Sequence, residues 1–438
     1  MGGDQSRIRR FPGIAHEFIE VAGRPLPTLT TRPFRIVIER DGKEEPMRPP
    51  DGKPPYRVPS MAEVAALPWN GFSVASTFSG CGGSSLGYRM AGFRVLWASE
   101  FIEAARNTYR ANASPYTIVD PRDIRQVKAS DILDAIGMKP GELDLFDGSP
   151  PCASFSTSGK REAGWGRVKK YSDTEQRTDD LFFEYARLIQ GLRPKTFVAE
   201  NVSGLVKGTA KGYFLEILQT LKRGYRVEAK LLDAQWLGVP QARQRLIFVG
   251  VREDLCFSPA FPKPLPFRYT VRDAIPWICG IGGIRESGFS GERMVSSNSP
   301  CPTIMAGGGN GMNTSQFGVE AETDISRFAI GEEWDKLKPG EQSDRFFQLV
   351  KPPLDGPCPT ITASGGSGSI AGVVHPTEKR KFTIPELRRI CGFPDDFVLT
   401  GTYQQQWERL GRAVPPVMMM HIAGAVRDGV LRRLPRGA

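Results

Sequence analysis

A cysteine stands in the run Asp147-Gly148-Ser149-Pro150-Pro151-Cys152-Ala153-Ser154-Phe155-Ser156, directly after the short apolar stretch Leu143–Asp147. Two prolines stiffen the backbone before it, so Cys152 is displayed on a fixed loop instead of packed in a helix, and a thiol so placed is a candidate nucleophile. The remaining cysteines have no such setting and read as small apolar fillers. A second apolar run, Thr196–Glu200, continues as Glu200-Asn201-Val202. A carboxyl ending such a run is poorly solvated; desolvation raises its pKa and suits it to proton donation or to hydrogen bonding with a ring nitrogen. Further on, Gln241-Ala242-Arg243-Gln244-Arg245 precedes another run, and alternation puts Arg243 and Arg245 on one side. Two guanidinium groups there suit a carbonyl oxygen, a phosphate or a structural carboxylate. Finally, Phe78-Ser79-Gly80-Cys81-Gly82-Gly83-Ser84-Ser85-Leu86-Gly87 has the glycines of a tight strand-to-helix turn that a ligand can approach closely. Glu100 lies 20 residues beyond Gly80, at the end of the next apolar run. A carboxylate there can accept hydrogen bonds from both ribose hydroxyls of a nucleoside cofactor. The glycines read G-x-G-G-x-x-x-G rather than G-x-G-x-x-G, which argues against a dinucleotide.

These groups must be held at one edge of a sheet. Strands are expected at Phe72–Phe78, Phe93–Ala98, Leu143–Asp147, Thr196–Glu200 and Leu246–Val251, with helices at Ala104–Ala111, Leu181–Leu192 and Phe214–Leu221 between them. Alternating strand and helix units make an α/β, doubly wound parallel sheet the economical fold, and such sheets bind ligands outside the carboxyl ends of their strands. The expected organisation is a proline-rich extension of unassigned role at 1–70, a catalytic, cofactor-binding domain at 71–254, a loop-rich module at 255–378 and a C-terminal segment at 379–438. Within the module, Cys301-Pro302-Thr303-Ile304 recurs as Cys358-Pro359-Thr360-Ile361. A last helix is expected from about Pro416 to Leu431.

The chain has 438 residues, 40% of them hydrophobic, with a formal net charge of +10, a balance that favours a polyanionic partner. No apolar run approaches the length needed to cross a bilayer, and no secretory signal is evident, so a cytoplasmic, reducing setting is expected. Seven cysteines without a Cys-x-x-Cys pair and three histidines provide neither a disulfide framework nor a metal site.

In content and in order the motifs resemble those of the cytosine C5 DNA methyltransferase family, over about residues 71–254 and 380–425. The matching parts are FSGCGG at 78–83, Glu100, Asp123-Ile124, GSPPCASFS at 148–156, Glu200-Asn201-Val202 and QARQR at 241–245. They continue with Arg380, Thr383, Glu386, Gly392-Phe393-Pro394-Asp395-Asp396-Phe397 and Gly411-Arg412-Ala413-Val414-Pro415-Pro416. The resemblance implies a Rossmann-like S-adenosylmethionine methyltransferase domain, with 255–378 as target recognition domain and the last helix returning to the catalytic domain. S-Adenosyl-L-methionine would be held by Phe78, Gly80, Cys81, Gly82 and Gly83, with Glu100 on the ribose, Phe101 against adenine and Asp123 at the adenine edge. Ile124, Pro151, Leu181, Ala413 and Val414 would complete its pocket. Cys152 would be the nucleophile, Glu200 the group at N3 and the exocyclic amine of cytosine, and Arg245 a ligand of its carbonyl, supported by Arg243.

Both Thr303-Ile304 and Thr360-Ile361 resemble the short Thr-plus-aliphatic element of the recognition region, and the sequence does not choose between them. Two positions depart from the family pattern: Arg412, where Asn is usual, and Ala153, where Gln is frequent. The implied partner is double-stranded DNA, with a monomer bound to it, no membrane and a cognate restriction endonuclease as a further partner; the implied location is the bacterial or phage-like, nucleoid-associated cytoplasm. A transfer RNA cytosine methyltransferase and a catalytically inactive DNA-binding relative are the alternatives. Ser156, where the RNA branch tends to have Thr, favours DNA.

Overall fold

The computed structural model describes residues 53–151, 180–206, 211–276 and 323–435, together with the backbone of three short antiparallel pairs: Phe18–Glu20 with Val37–Glu39, Lys169–Tyr171 with Thr174–Gln176, and Ile284–Gly288 with Gly291–Val295. Its centre is a seven-stranded sheet of β1 (Ser73–Thr77), β2 (Arg94–Ser99), β3 (Ile118–Asp120), β4 (Leu145–Gly148), β5 (Thr196–Val202), β6 (Tyr225–Asp233) and β7 (Gln244–Arg252). The spatial order is β6-β7-β5-β4-β1-β2-β3; the first five strands in sequence are parallel, and β7 runs antiparallel to both β5 and β6. Chain direction across the sheet reverses between β1 and β4. A crevice opens at such a point because the crossovers on its two sides leave in opposite directions.

Burial on both faces explains why the parallel strands read as continuous apolar runs. On one face Ala75, Trp97, Phe146, Phe197 and Ala199 pack against Leu181, Phe182, Tyr185, Leu188 and Ile189 of α5 (Leu181–Leu192) and Phe214, Ile217 and Leu218 of α6 (Lys211–Leu221). On the other, Val74, Val95, Leu145, Val198 and Ile247 meet Tyr88 of α2 (Gly83–Met90) and Val417, Met418, Met419, Ile422 and Val426 of α11 (Pro416–Gly429). The approach of α2 and α11 requires Gly87, where a Cβ would lie 2.5 Å from Met419 Cβ and 2.6 Å from the Pro416 carbonyl.

The remaining described chain forms a second core around Trp407, Phe382, Phe393 and Phe397, involving α1 (Met61–Ala66), α7 (Val271–Ala274), α9 (Ile384–Ile390) and α10 (Tyr403–Arg412), and a smaller cluster of Ile325, Ile330, Leu349 and Val374 at α8 (Ala329–Trp334). The segment before β1 straps this region. Lys53 pairs with Asp273 at 2.6 Å, the Tyr56 hydroxyl donates to the Arg389 carbonyl at 2.6 Å, and the Met61 amide donates to Asp396. Helix α3 (Glu103–Asn112), the helix Ala129–Ile136 (α4) and strands β3 and β6 complete the sheet layer.

Candidate active site

The five expected strands all belong to the sheet; the carboxyl ends of the first four and the amino end of the fifth, which runs antiparallel where a parallel strand was expected, open onto a cleft of about 1420 Å³. That exceeds the roughly 300–1,000 Å³ of an ordinary small-molecule pocket. The glycine loop forms one wall. Phe78, Gly80 and Gly82 have φ of 52°, 55° and 96°, so the backbone winds through left-handed conformations before α2 begins. This conformation is cheap for glycine and costly for Phe78. Nothing lies within 4 Å of a Cβ built on Gly80, whereas one on Gly83 would lie 2.3 Å from the Val414 carbonyl oxygen. Gly83 is therefore needed so that residues 413–414 can close onto the loop, and Ala413 and Val414 line the cleft beside it. Cys81 also lines it, but its thiol is buried, 3.7 Å from the Arg409 carbonyl, and burial pushes its pKa up to about 12.

Glu100 follows β2 and faces the loop. Its Oε2 accepts the Gly80 amide at 2.8 Å and its Oε1 the Ile102 amide at 2.7 Å. Burial pushes its pKa up, while the two amides oppose the shift. Each carboxylate oxygen retains a further lone pair, so the group is fixed in orientation yet still able to accept hydroxyl hydrogen bonds. Phe101, 42% exposed, and Asp123, Ile124, Pro151 and Leu181 line the same cleft. Asp123 caps the turn Ile124–Gln126 and pairs with Arg125 at 3.0 Å; Arg125 also holds Asp180 at the start of α5. Open space over Gly80, an oriented carboxylate, an acidic group beyond it and exposed aromatic surface fit a nucleoside bearing a short charged arm.

The opposite wall carries Glu200 and Arg245. The antiparallel register sets Arg245 of β7 beside Val202 of β5, bringing its Nε 2.7 Å from Glu200 Oε1. The poorly solvated carboxyl expected from the sequence is thus half of a buried ion pair. Burial pushes the Arg245 pKa down, and Glu200 opposes that. Arg243 does not share this pair. It is 1% exposed and donates to the Ile361 carbonyl at 3.1 Å and the Gly411 carbonyl at 2.9 Å, fastening two distant segments to the sheet. Burial, with Arg245 nearby, pushes its pKa down to about 9.

The segment Cys358–Ile361 runs alongside Pro240–Ala242: the Cys358 amide donates to Pro240 and Thr360 Oγ1 to Ala242, at 3.0 and 2.7 Å. Thr360 and Ile361 line the cleft; Thr303-Ile304 lies outside the described residues, as does Cys152. Arg412 pairs with Glu408 at 2.7 Å, and both line the cleft. Sequence reasoning did not single out Ser79, Ser364, Ser367, Gln404 or Gln405 as lining residues. Their positions depend on tertiary contacts, and only the glycines around 363–368 signalled a turn. Among the described residues there is no cluster of His, Cys, Asp or Glu suited to a metal ion and no helix long and apolar enough to cross a membrane.

The profile of C-5 cytosine-specific DNA methylases matches residues 72–428. This chain belongs to that family. The methylase is 27% identical over 398 residues to Type II methyltransferase M.Sau96I of Staphylococcus aureus, covering 90% of this chain and 84% of the relative. To M1.HphI of Haemophilus parahaemolyticus it is 30% identical over 351 residues, covering 80% and 85%. Two solved structures share the fold. A candidate DNA modification methyltransferase encoded in an E. coli prophage has a TM-score of 0.59 and 22% identity, covering 83% of this chain and all of that one. A DNMT2 mutant from Spodoptera frugiperda has a TM-score of 0.52 and 16% identity, covering 80% and 97%. The methylase is a DNA cytosine C5 methyltransferase with a Rossmann-like sheet, and its methyl donor is S-adenosyl-L-methionine.

Proposed function

We propose that Cys152 attacks carbon 6 of a cytosine extruded from duplex DNA, while the Glu200–Arg245 pair holds the ring. The observation that carries this assignment is the position of that pair on one wall of a cleft whose other wall is the glycine loop with Glu100. Carbon 5 of cytosine is a poor nucleophile until the ring's conjugation is broken. Thiolate addition at carbon 6, with Glu200 holding N3 and the exocyclic amine and Arg245 the carbonyl, makes carbon 5 electron-rich. The cofactor supplies an electrophilic methyl on a positively charged sulfur. Once carbon 5 carries the methyl, loss of its proton to water leaves the electron pair that re-forms the double bond to carbon 6 and expels the Cys152 thiolate. The target atom cannot be reached in a stacked duplex, so the base must swing out, at a cost of a few kcal/mol offset by contacts in the pocket. Arg243 acts here as a positioning residue, through the carbonyls of Ile361 and Gly411.

In this reading Phe78, Gly80, Cys81, Gly82, Gly83, Glu100, Phe101, Asp123, Ile124, Pro151, Leu181, Ala413 and Val414 hold the donor. Residues 71–254 form the catalytic domain, 255–378 read the DNA sequence, with Thr360-Ile361 as the Thr-plus-aliphatic element, and 379–438 return to close the donor pocket. The basic excess neutralises phosphates. The methylase acts as a monomer in the cytoplasm, on nucleoid DNA, and the Type II names of its relatives point to a cognate restriction endonuclease. The test is duplex DNA containing 5-fluorocytosine at the methylated site: the expected result is a stable adduct mapping to Cys152 by peptide mass. An adduct on another residue, or none despite methylation of ordinary DNA, overturns the assignment. Methyl label entering transfer RNA alone overturns the DNA substrate.

A further inference from the structure

One buried acid beside the cleft has no part in the chemistry above. Asp147 is 1% exposed and sits on β4 immediately before Gly148, in register with Ser76 of β1 at the point where chain direction across the sheet reverses. Its Oδ2 accepts the Ser76 hydroxyl at 2.7 Å and its Oδ1 the Tyr88 hydroxyl at 3.0 Å. Ser79, which lines the cleft, has its hydroxyl 3.1 Å from Ser76 Oγ and 3.2 Å from the Ser76 carbonyl oxygen, either of which can accept its hydrogen. A continuous chain of hydroxyls therefore joins the carboxyl to the donor pocket. Among the described residues, the titratable groups acting on Asp147 are Tyr88 of α2, Tyr109 of α3, Tyr185 of α5 and Glu200 of β5; none of these is a cation. A carboxyl buried without a counter-charge is costly and favours its neutral form. Burial, opposed by the two hydroxyls and reinforced by Glu200, pushes its pKa up to about 7.

A methyl donor bound in the cleft that Ser79 lines would bring a positive sulfur to the cavity where this hydroxyl chain ends, and after transfer that sulfur is neutral. We propose that Asp147 is the charge partner of the donor's sulfonium, ionising when the cationic cofactor binds and taking its proton back once methyl transfer leaves a neutral thioether. The proton passes to water in the cleft, and returns from it, by relay through the Ser76 and Ser79 hydroxyls, which end each transfer neutral. An ionised Asp147 favours the cationic donor, and a protonated one removes that preference from the spent product, which lessens product retention. This inference rests on the donor occupying the cleft.

The test is calorimetric titration of the full chain with S-adenosylmethionine and with S-adenosylhomocysteine, in two buffers of different ionisation enthalpy at pH 7. Binding of the methionine form is expected to release up to about half a proton per site, because a group half protonated before binding loses that fraction. The homocysteine form is expected to release close to none. From pH 8 to pH 6 the affinity for the methionine form should fall about five- to tenfold, and that for the homocysteine form less than twofold. Asp147→Asn should erase the difference. If that variant does not fold, the wild-type comparison still decides: equal proton release by the two ligands overturns the inference. Failure of S-adenosylmethionine to bind at any pH overturns the cofactor site on which it rests.

Discussion

Substituting Glu200→Gln separates two roles of the Glu200–Arg245 pair. Both side chains are almost wholly buried, at 11% and 13% exposure, with Nε and Oε1 2.7 Å apart. Removing one partner of such a pair leaves the other charge uncompensated and costs about 3–5 kcal/mol. Glutamine keeps an oxygen that can accept the Arg245 hydrogen bond, which puts the expected loss near 3 kcal/mol, or about 1 M in the urea midpoint at a slope of about 3 kcal/mol/M. Losing a group that handles a proton at N3 slows turnover by roughly 100- to 10,000-fold, about 2.7–5.5 kcal/mol of barrier. Adding Arg245→Gln removes the stranded charge, so stability should partly return while the rate does not. The assays are urea unfolding, tritium transfer from labelled cofactor to duplex DNA, and cofactor binding to show that the variants fold. A wild-type rate in the single variant, or recovery of rate together with stability in the double one, would refute the assigned role.

Cys152→Ala should abolish turnover and adduct formation while cofactor affinity, read by calorimetry, stays within about twofold, because in the proposed mechanism the thiol acts on the base. Gly83→Ala forces a methyl against the Val414 carbonyl at 2.3 Å. Overpacking of this kind costs about 1–3 kcal/mol, and a weakened cofactor Kd together with a lowered Tm is expected; no change in either would show that residues 413–414 do not close the pocket. Arg243→Met leaves the Ile361 and Gly411 carbonyls without their buried donor, a loss of about 1–3 kcal/mol for each, measurable as a lower urea midpoint. His375 is held neutral by burial, its pKa pushed down to about 4 from the ordinary 6.5. The unfolded chain therefore binds the extra proton first, and stability falls as pH drops from 6.5 to 4, by about 3 kcal/mol from this group. His375→Gln should flatten that part of the curve.

The parallel strands were legible because burial on both faces makes them continuous apolar runs: Leu143–Asp147 and Thr196–Glu200 point directly to β4 and β5, and Leu181–Leu192 matches α5 end to end. Strand β3 has only three residues and offers no period to read. Strand β6 was hidden for another reason. Its buried Val227, Ala229 and Leu231 alternate with Arg226, Glu228 and Lys230, a pattern that stands out less than an apolar run. Residue types around the cleft were legible one by one, but their pairings were not. That Glu200 meets Arg245, while Arg243 turns to Ile361 and Gly411, follows from antiparallel register and from contacts between distant segments. No local pattern encodes either.

The contact between Gly83 and Val414 has a consequence for biosynthesis. One wall of the cleft is translated about 330 residues before the segment that closes onto it. Domains fold as they emerge, so the growing polypeptide can begin its sheet while one face still lacks the cover of α11 and the proposed socket for the methyl source is unfinished. Chains halted before residues 413–414 and α11 would lack both the closing piece of the cleft and the cover of one sheet face, so methylating capacity would come only from molecules extended past that helix.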